Sequence, residues 1–299
     1  MTGANANMSA EPKKSFVRVA RGGSLPANVA VVWLEREPVN SMTLELWTAL
    51  ADALTALEND ETVRERVTRR CKDPSTDCRP RAQVEGVIFA SGLRRNVFTA
   101  GNDITELYAP KTTKKRYRAF WMAQTRFLSR LLTTKLSTVC AIRGAYPAGG
   151  CVVALCCDYR VQTTDGTFGL NEVALGISVP RYWGDLFLAR CIDRVKGERL
   201  LQLGVLLNPK EALELGLIDQ IVGEGALMAA AQSALERFTK VPSGARATTK
   251  GTIRSRFSAE WLAYGEQEAR EGWKMLNEPH IVAALGGVLL RLSGGKAKL

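Results

Sequence analysis

Short apolar runs alternating with amphipathic stretches constrain this chain more than any other feature. VAVVWL (29–34), VEGVIFAS (84–91), STVCAI (137–142) and DYRVQT (158–163) read as strands, and FVRVA (16–20) as another across a Gly-Pro turn. Between them, Leu44, Trp47, Leu50, Leu54 and Leu57 keep a three-to-four spacing. Residues 114–132 read as a second helix, and GGCVVALCC (149–157) as a buried one. Such alternation predicts an α/β fold with largely parallel pairing. From Arg181 onward the pattern turns helical, each segment ending at a glycine or a Pro-containing turn, and 226–292 reads as helices without a strand. The expected organisation is a flexible N-terminus (1–15), a core (16–225), a helical packing or assembly region (226–292) and a tail (293–299).

At 299 residues, 46% hydrophobic and 24% charged, the chain can bury a large core. No run approaches eighteen uncharged apolar residues, and the first fifteen lack the apolar core of a secretory signal, so an intracellular protein without a membrane span is expected. Seven cysteines, an odd number, argue for reduced thiols. Cys140, Cys151, Cys156, Cys157 and Cys191 sit in apolar surroundings as small hydrophobes, and a reducing compartment disfavours a Cys71–Cys78 pair. His280 is the one histidine; any His-based nucleophile or zinc site would have to be built around it, and a structural or exposed role is expected instead. The formal charge of +11 invites a polyanion: nucleic acid, a membrane surface or a phosphate-bearing cofactor. Much of that excess is local, with seven basic residues between Arg64 and Arg81, read as a solvated insertion.

Three segments carry chemistry. FTAGNDI (98–104) reads as a strand end running into Ala100-Gly101, where small residues let a ligand approach the backbone. In RGAYPAGGC (143–151) a strand ends in a turn and Gly149-Gly150 opens a helix, whose first amides lack internal partners and suit a developing oxyanion. GLNEVALGI (169–177) places Glu172 in an apolar stretch, where a carboxyl has a raised pKa and can serve as acid or base near neutrality. Singly, each has a plainer reading: a turn, helix-to-strand packing, an exposed carboxylate.

In this order and spacing, FTAGNDI, PAGGC, CDYRV and Glu172, 23 residues after Gly149, resemble the enoyl-CoA hydratase/isomerase (crotonase) superfamily. LQLGVLLNPKEALELGLIDQIV (201–222) is similar to that family's helix–turn–helix, and the resemblance covers residues 29–225. PVNSMTLELW, PAGGC and GLNEVALGI look more like its Δ3,Δ2-enoyl-CoA isomerases than its hydratases. The resemblance implies a ClpP-like spiral of repeated ββα units, with C-terminal helices building a homotrimer, or a hexamer of paired trimers. The amides of Asn102 and Gly149 would form an oxyanion hole, and Glu172 would be the catalytic carboxyl. Ala100, Gly101, Asp103, Ile104 and Asn171 would line the thioester site, and Val39-Asn40 the pantetheine path.

Hydratases of this family carry a second, water-activating glutamate three residues after the oxyanion glycine; here that position is Val152. One carboxyl without that partner favours proton transfer over hydration. Val152, Leu155 and Trp121 would form an apolar wall against water. An acyl-CoA is the implied substrate, with no cofactor beyond its own CoA and no metal. A hydratase or dienoyl-CoA isomerase, and more remotely an RNA-binding relative, are the alternatives. Two features depart from the family: the long Arg64–Arg81 insertion, and an asparagine at position 102, often small or apolar in relatives. Ala297-Lys298-Leu299 is a variant of the Ser-Lys-Leu address and points to peroxisomes; mitochondria are the rival, with Glu11 counting against them.

Overall fold

The computed structural model describes residues 16–59 and 83–294. β1 (Val17–Arg21) runs antiparallel to β2 (Val29–Leu34). β3 (Gly86–Ser91), β4 (Ser137–Ile142), β6 (Tyr159–Thr163) and β8 (Gln220–Val222) then add in parallel, giving a six-stranded sheet in the order β1-β2-β3-β4-β6-β8. A small second sheet pairs β5 (Tyr146–Pro147) with β7 (Phe168–Gly169).

Period-two alternation divides the strand residues between two cores. Ala30, Val32, Leu34, Val87, Phe89, Cys140 and Ile142 face α1 (Leu44–Asn59), α3 (Lys114–Thr133) and α4 (Gly149–Cys156). Val29, Val31, Ile88, Ala90, Val139, Ala141 and Val161 face the opposite way, against Leu227, Ala231, Ala234 and Leu235 of α8 (Leu227–Thr239). Burial on both faces explains the near-continuous apolar run of β2. The five cysteines predicted to pack as hydrophobes are free and buried. Cys71, Cys78 and the Arg64–Arg81 insertion lie outside the described residues.

Short helices complete the site region: α2 (Ile104–Leu107), α5 (Arg181–Arg190), α6 (Arg194–Leu203) and α7 (Pro209–Glu214). α9 (Ser243–Leu276) and α10 (Pro279–Gly294) close the chain. α9 lies along α3 because two glycines remove the side chains between them. A Cβ at Gly265 would stand 3.0 Å from Thr125 Cγ2, and one at Gly272 would collide with the Tyr117 hydroxyl. Among the described residues, no helix is long and apolar enough to cross a membrane.

Two segments differ from the sequence expectation. FTAGNDI does not end a strand: β3 stops at Ser91, and Val97 and Asn102 make only isolated bridges, to Ala145 and Met42. Exposed Arg94, Arg95 and Asn96 interrupt the apolar run, so no ladder can extend through them. Glu172 opens a short 3₁₀ turn (Glu172–Leu175) closed by Gly176 in the left-handed conformation.

Candidate active site

Two loops zip together to display one amide. Ala100 N–H donates to Val39 O (2.9 Å), and Thr99 Oγ1 donates to Asn40 O (2.6 Å). Met42 then bonds on both sides of residue 102, its N–H to Gly101 O (2.8 Å) and its carbonyl to Asp103 N–H (3.1 Å). A parallel bridge of this kind skips the residue between, so Asn102 N–H has no acceptor among the described residues. Gly101 makes the turn at φ 83°, and a Cβ there would sit 3.0 Å from Pro147 O.

The second display is the start of α4. Ala148, held at φ 52° and ψ −122°, accepts from Val152 N–H at 3.1 Å and has no side chain to cap the helix. That leaves the Gly149, Gly150 and Cys151 amides without acceptors among the described residues, at the positive end of the helix. A Cβ at Gly149 would stand 3.1 Å from Asn102 Oδ1, so the Asn102 and Gly149 amides belong to neighbouring residues. The Asn102 side chain is itself locked: Oδ1 accepts from Trp47 Nε1 (3.2 Å) and Nδ2 donates to Gln124 Oε1 (3.0 Å). An asparagine is accommodated here because both polar atoms of its side chain are engaged by protein partners.

Glu172 supplies the titratable group. It is 4% exposed, and neither carboxyl oxygen has a hydrogen-bond partner. Burial pushes its pKa up to about 7. Its charge also reaches the first turn of α4: burial first, then Glu172, hold the Cys151 thiol well above its usual range.

A cavity of about 830 Å³ joins these parts. Of the sequence-predicted residues, Val39, Ala100, Asn102, Asp103, Ile104, Trp121, Asn171 and Glu172 line it. Gly101 and Gly149 are not on the lining, though each is bonded in sequence to a residue that is: Gly101 to Ala100 and Asn102, Gly149 to Ala148. Two more of the expected residues stand elsewhere. Asn40 is fully buried, its Nδ2 donating to Leu34 O, Ser91 Oγ and Phe98 O and its Oδ1 accepting from Arg36 N–H; it organises the loop and does not line the cavity. Val152 is buried behind the wall, one turn into α4, with Leu155. His280 is exposed, as expected, at 72% of its side chain.

Glu172 is not the only carboxyl on the cavity wall. Asp103 caps α2 through Thr105 N–H and pairs with Arg36 at 3.4 Å. Glu271 accepts from the Tyr264 hydroxyl and Gln267, and Glu268 from Trp121 Nε1 and Arg181 N–H. Each of these has partners, and only Glu172 has a bare carboxyl. Sequence reasoning missed Arg95, Tyr117, Trp183, Tyr264 and Glu268 on the cavity wall. Most sit on helices whose mutual docking no local pattern reveals. Among the described residues, no group of His, Cys, Asp and Glu could hold a metal ion.

The fold and this arrangement place the chain in a known class. The enoyl-CoA hydratase/isomerase family model matches residues 68–282, and the chain belongs to that family. Human mitochondrial enoyl-CoA delta isomerase 1 is 35% identical over 272 residues, 90% of this chain and 82% of the relative. The mouse protein of the same name is 33% identical over 273 residues, 91% of this chain and 86% of the relative. The crystal structure of human mitochondrial delta3-delta2-enoyl-CoA isomerase superposes with a TM-score of 0.81 at 34% identity, covering 94% of this chain and all of that one. The crotonase fold read from the motifs is therefore present. These relatives, with the rat protein, are named as mitochondrial, which overturns the peroxisomal expectation drawn from Ala297-Lys298-Leu299. A three-residue ending is weak beside similarity over nine-tenths of the chain, and it lies outside the described residues.

Proposed function

We propose that this chain is an enoyl-CoA isomerase that moves a double bond from C3 to C2 of an acyl-CoA, with Glu172 carrying the proton. The observation that carries the reading is the partnerless Glu172 carboxyl, held near neutrality by burial, in one cavity with Asn102 and with Ala148, the residue that leads into Gly149.

The thioester oxygen accepts from Asn102 N–H and Gly149 N–H, which polarises the carbonyl and acidifies C2. Each such donor is worth about 2.7–4 kcal/mol in other enzymes. Glu172 carboxylate removes a proton from C2, and the electron pair of that C–H bond spreads into a dienolate with its charge on the thioester oxygen. The resulting carboxylic acid gives the same proton to C4 as the C2–C3 double bond forms, restoring the carboxylate and the neutral thioester. No step calls for a cofactor beyond the CoA carried by the substrate. Water activation has no second free carboxyl to draw on: Val152 is apolar, and the other cavity carboxyls are engaged.

Val39, Ala100 and Ile104 then serve the CoA side, with Arg95 near its phosphates. Exposed Ile253, Leu262 and Leu290 on α9 and α10 support the homotrimer. The names of the relatives support a mitochondrial location. Assays on 3-enoyl-CoA and 2-enoyl-CoA side by side test the function. Glu172→Gln should fold as the parent and lose isomerase turnover by roughly a thousandfold or more; isomerisation within tenfold of the parent would overturn it.

A further inference from the structure

One part of the cavity wall is built around a carboxylate that the proposed chemistry does not use. Glu268, on α9, is 8% exposed. Its Oε2 accepts from Trp121 Nε1 at 3.1 Å, and its Oε1 accepts from Arg181 N–H at 3.0 Å. Arg181 opens α5 behind Pro180, which has no side-chain cap to offer. The carboxylate thus satisfies an orphan helix amide from another element while holding an indole. The two glycines that bring α9 against α3, Gly265 and Gly272, flank residue 268 and set this reach.

What Glu268 holds is the wall of the cavity. Trp121 stacks on Trp183 at 6.2 Å and 13°, and packs at a 34° tilt against Tyr117 at 5.6 Å. Gln124, Trp121 and Tyr117 share one face of α3 at three-to-four spacing, and Gln124 is fastened to Asn102. From Gln124 to Tyr117 this stripe runs about 10 Å away from the amide pair. A chain attached to a thioester carbonyl at Asn102 and Gly149 has this aromatic strip beside it.

Resting on the isomerase reading, we propose that Glu268 is a positioning residue for acyl-chain recognition: by gripping Trp121 and the first amide of α5 together, it fixes the aromatic wall against which the acyl chain lies. It touches neither C2 nor C4, and its effect grows with the length of chain that reaches Trp121.

The test compares 3-pentenoyl-CoA, too short to run the strip, with 3-dodecenoyl-CoA. Glu268→Ala should raise KM for the long substrate about tenfold or more, with less than about threefold change for the short one. Both kcat and the pH midpoint set by Glu172 should stay in place. Glu268→Gln keeps one acceptor and should recover part of the loss. Trp121→Phe removes the indole N–H together with its five-membered ring while keeping an aromatic wall; it should show the same length-selective rise, and the Trp121→Phe, Glu268→Gln double variant should be no worse than the poorer single one. Equal losses on both substrates, a fall in kcat alone, or additive losses in the double variant would overturn the proposal. A parent enzyme that turns over neither substrate would instead sink the isomerase reading.

Discussion

Gly149 leaves no easy room for a side chain beside Asn102: a Cβ on the glycine would lie 3.1 Å from the asparagine Oδ1 and equally close to Trp47 Cζ2. Since Trp47 and Gln124 both hold the asparagine side chain, neither neighbour can yield freely. The spacing of the two free amides is therefore set by packing behind them.

Gly149→Ala should accordingly reduce kcat by about tenfold or more, because overpacking shifts one amide against the other. The accompanying loss of stability should be modest, about 1–3 kcal/mol. Steady-state kinetics alongside a urea titration check this. An unchanged kcat would mean that the pair is not an oxyanion site.

Glu172 must be ionised to take a proton, and burial holds its pKa at about 7. Below that value kcat/KM should fall about tenfold per pH unit, and above it should level off, because this parameter reports the free enzyme. A pH–rate profile on a 3-enoyl-CoA measures it. A midpoint near 4.5, the value for an exposed carboxyl, would contradict the buried, partnerless state.

The same shift affects stability. The folded value, about 7, lies above the unfolded 4.5, so between these pH values the unfolded chain has already released a proton that the folded chain keeps. Stability is therefore lost as pH rises through this window, by about 3 kcal/mol in all. Glu172→Gln lacks the titration, so its stability relative to the parent should improve by about that amount between pH 4 and pH 8. Denaturant unfolding of both proteins at the two pH values isolates the term; a constant difference would contradict it.

The sequence carried the strands and helices well, since their signals are local. VAVVWL is apolar throughout and STVCAI is buried throughout because both sheet faces are covered, and Gly149 opens a helix where the chain reads PAGG. FTAGNDI was misread as a strand end: its apolar start looks like a ladder, but pairing there amounts to single bridges. Glu172 could be found by its apolar surroundings, whereas its lack of partners is a fact of three dimensions. Asn40 looked like a ligand-path residue, and its four hydrogen bonds show a loop clasp. Glu268 left no trace, because its bond to Trp121 spans 147 positions and depends on how two helices dock.

A single carboxyl relaying one hydrogen has a direct isotopic signature. A 3-enoyl-CoA carrying two deuterium atoms on C2 is turned over in ordinary water, and the product of the first turnovers is weighed and its C4 position read by NMR. Transfer by Glu172 leaves most product molecules with both deuterium atoms, one at C2 and one at C4. Product that has lost one deuterium from the outset, with solvent hydrogen at C4, would contradict the shuttle.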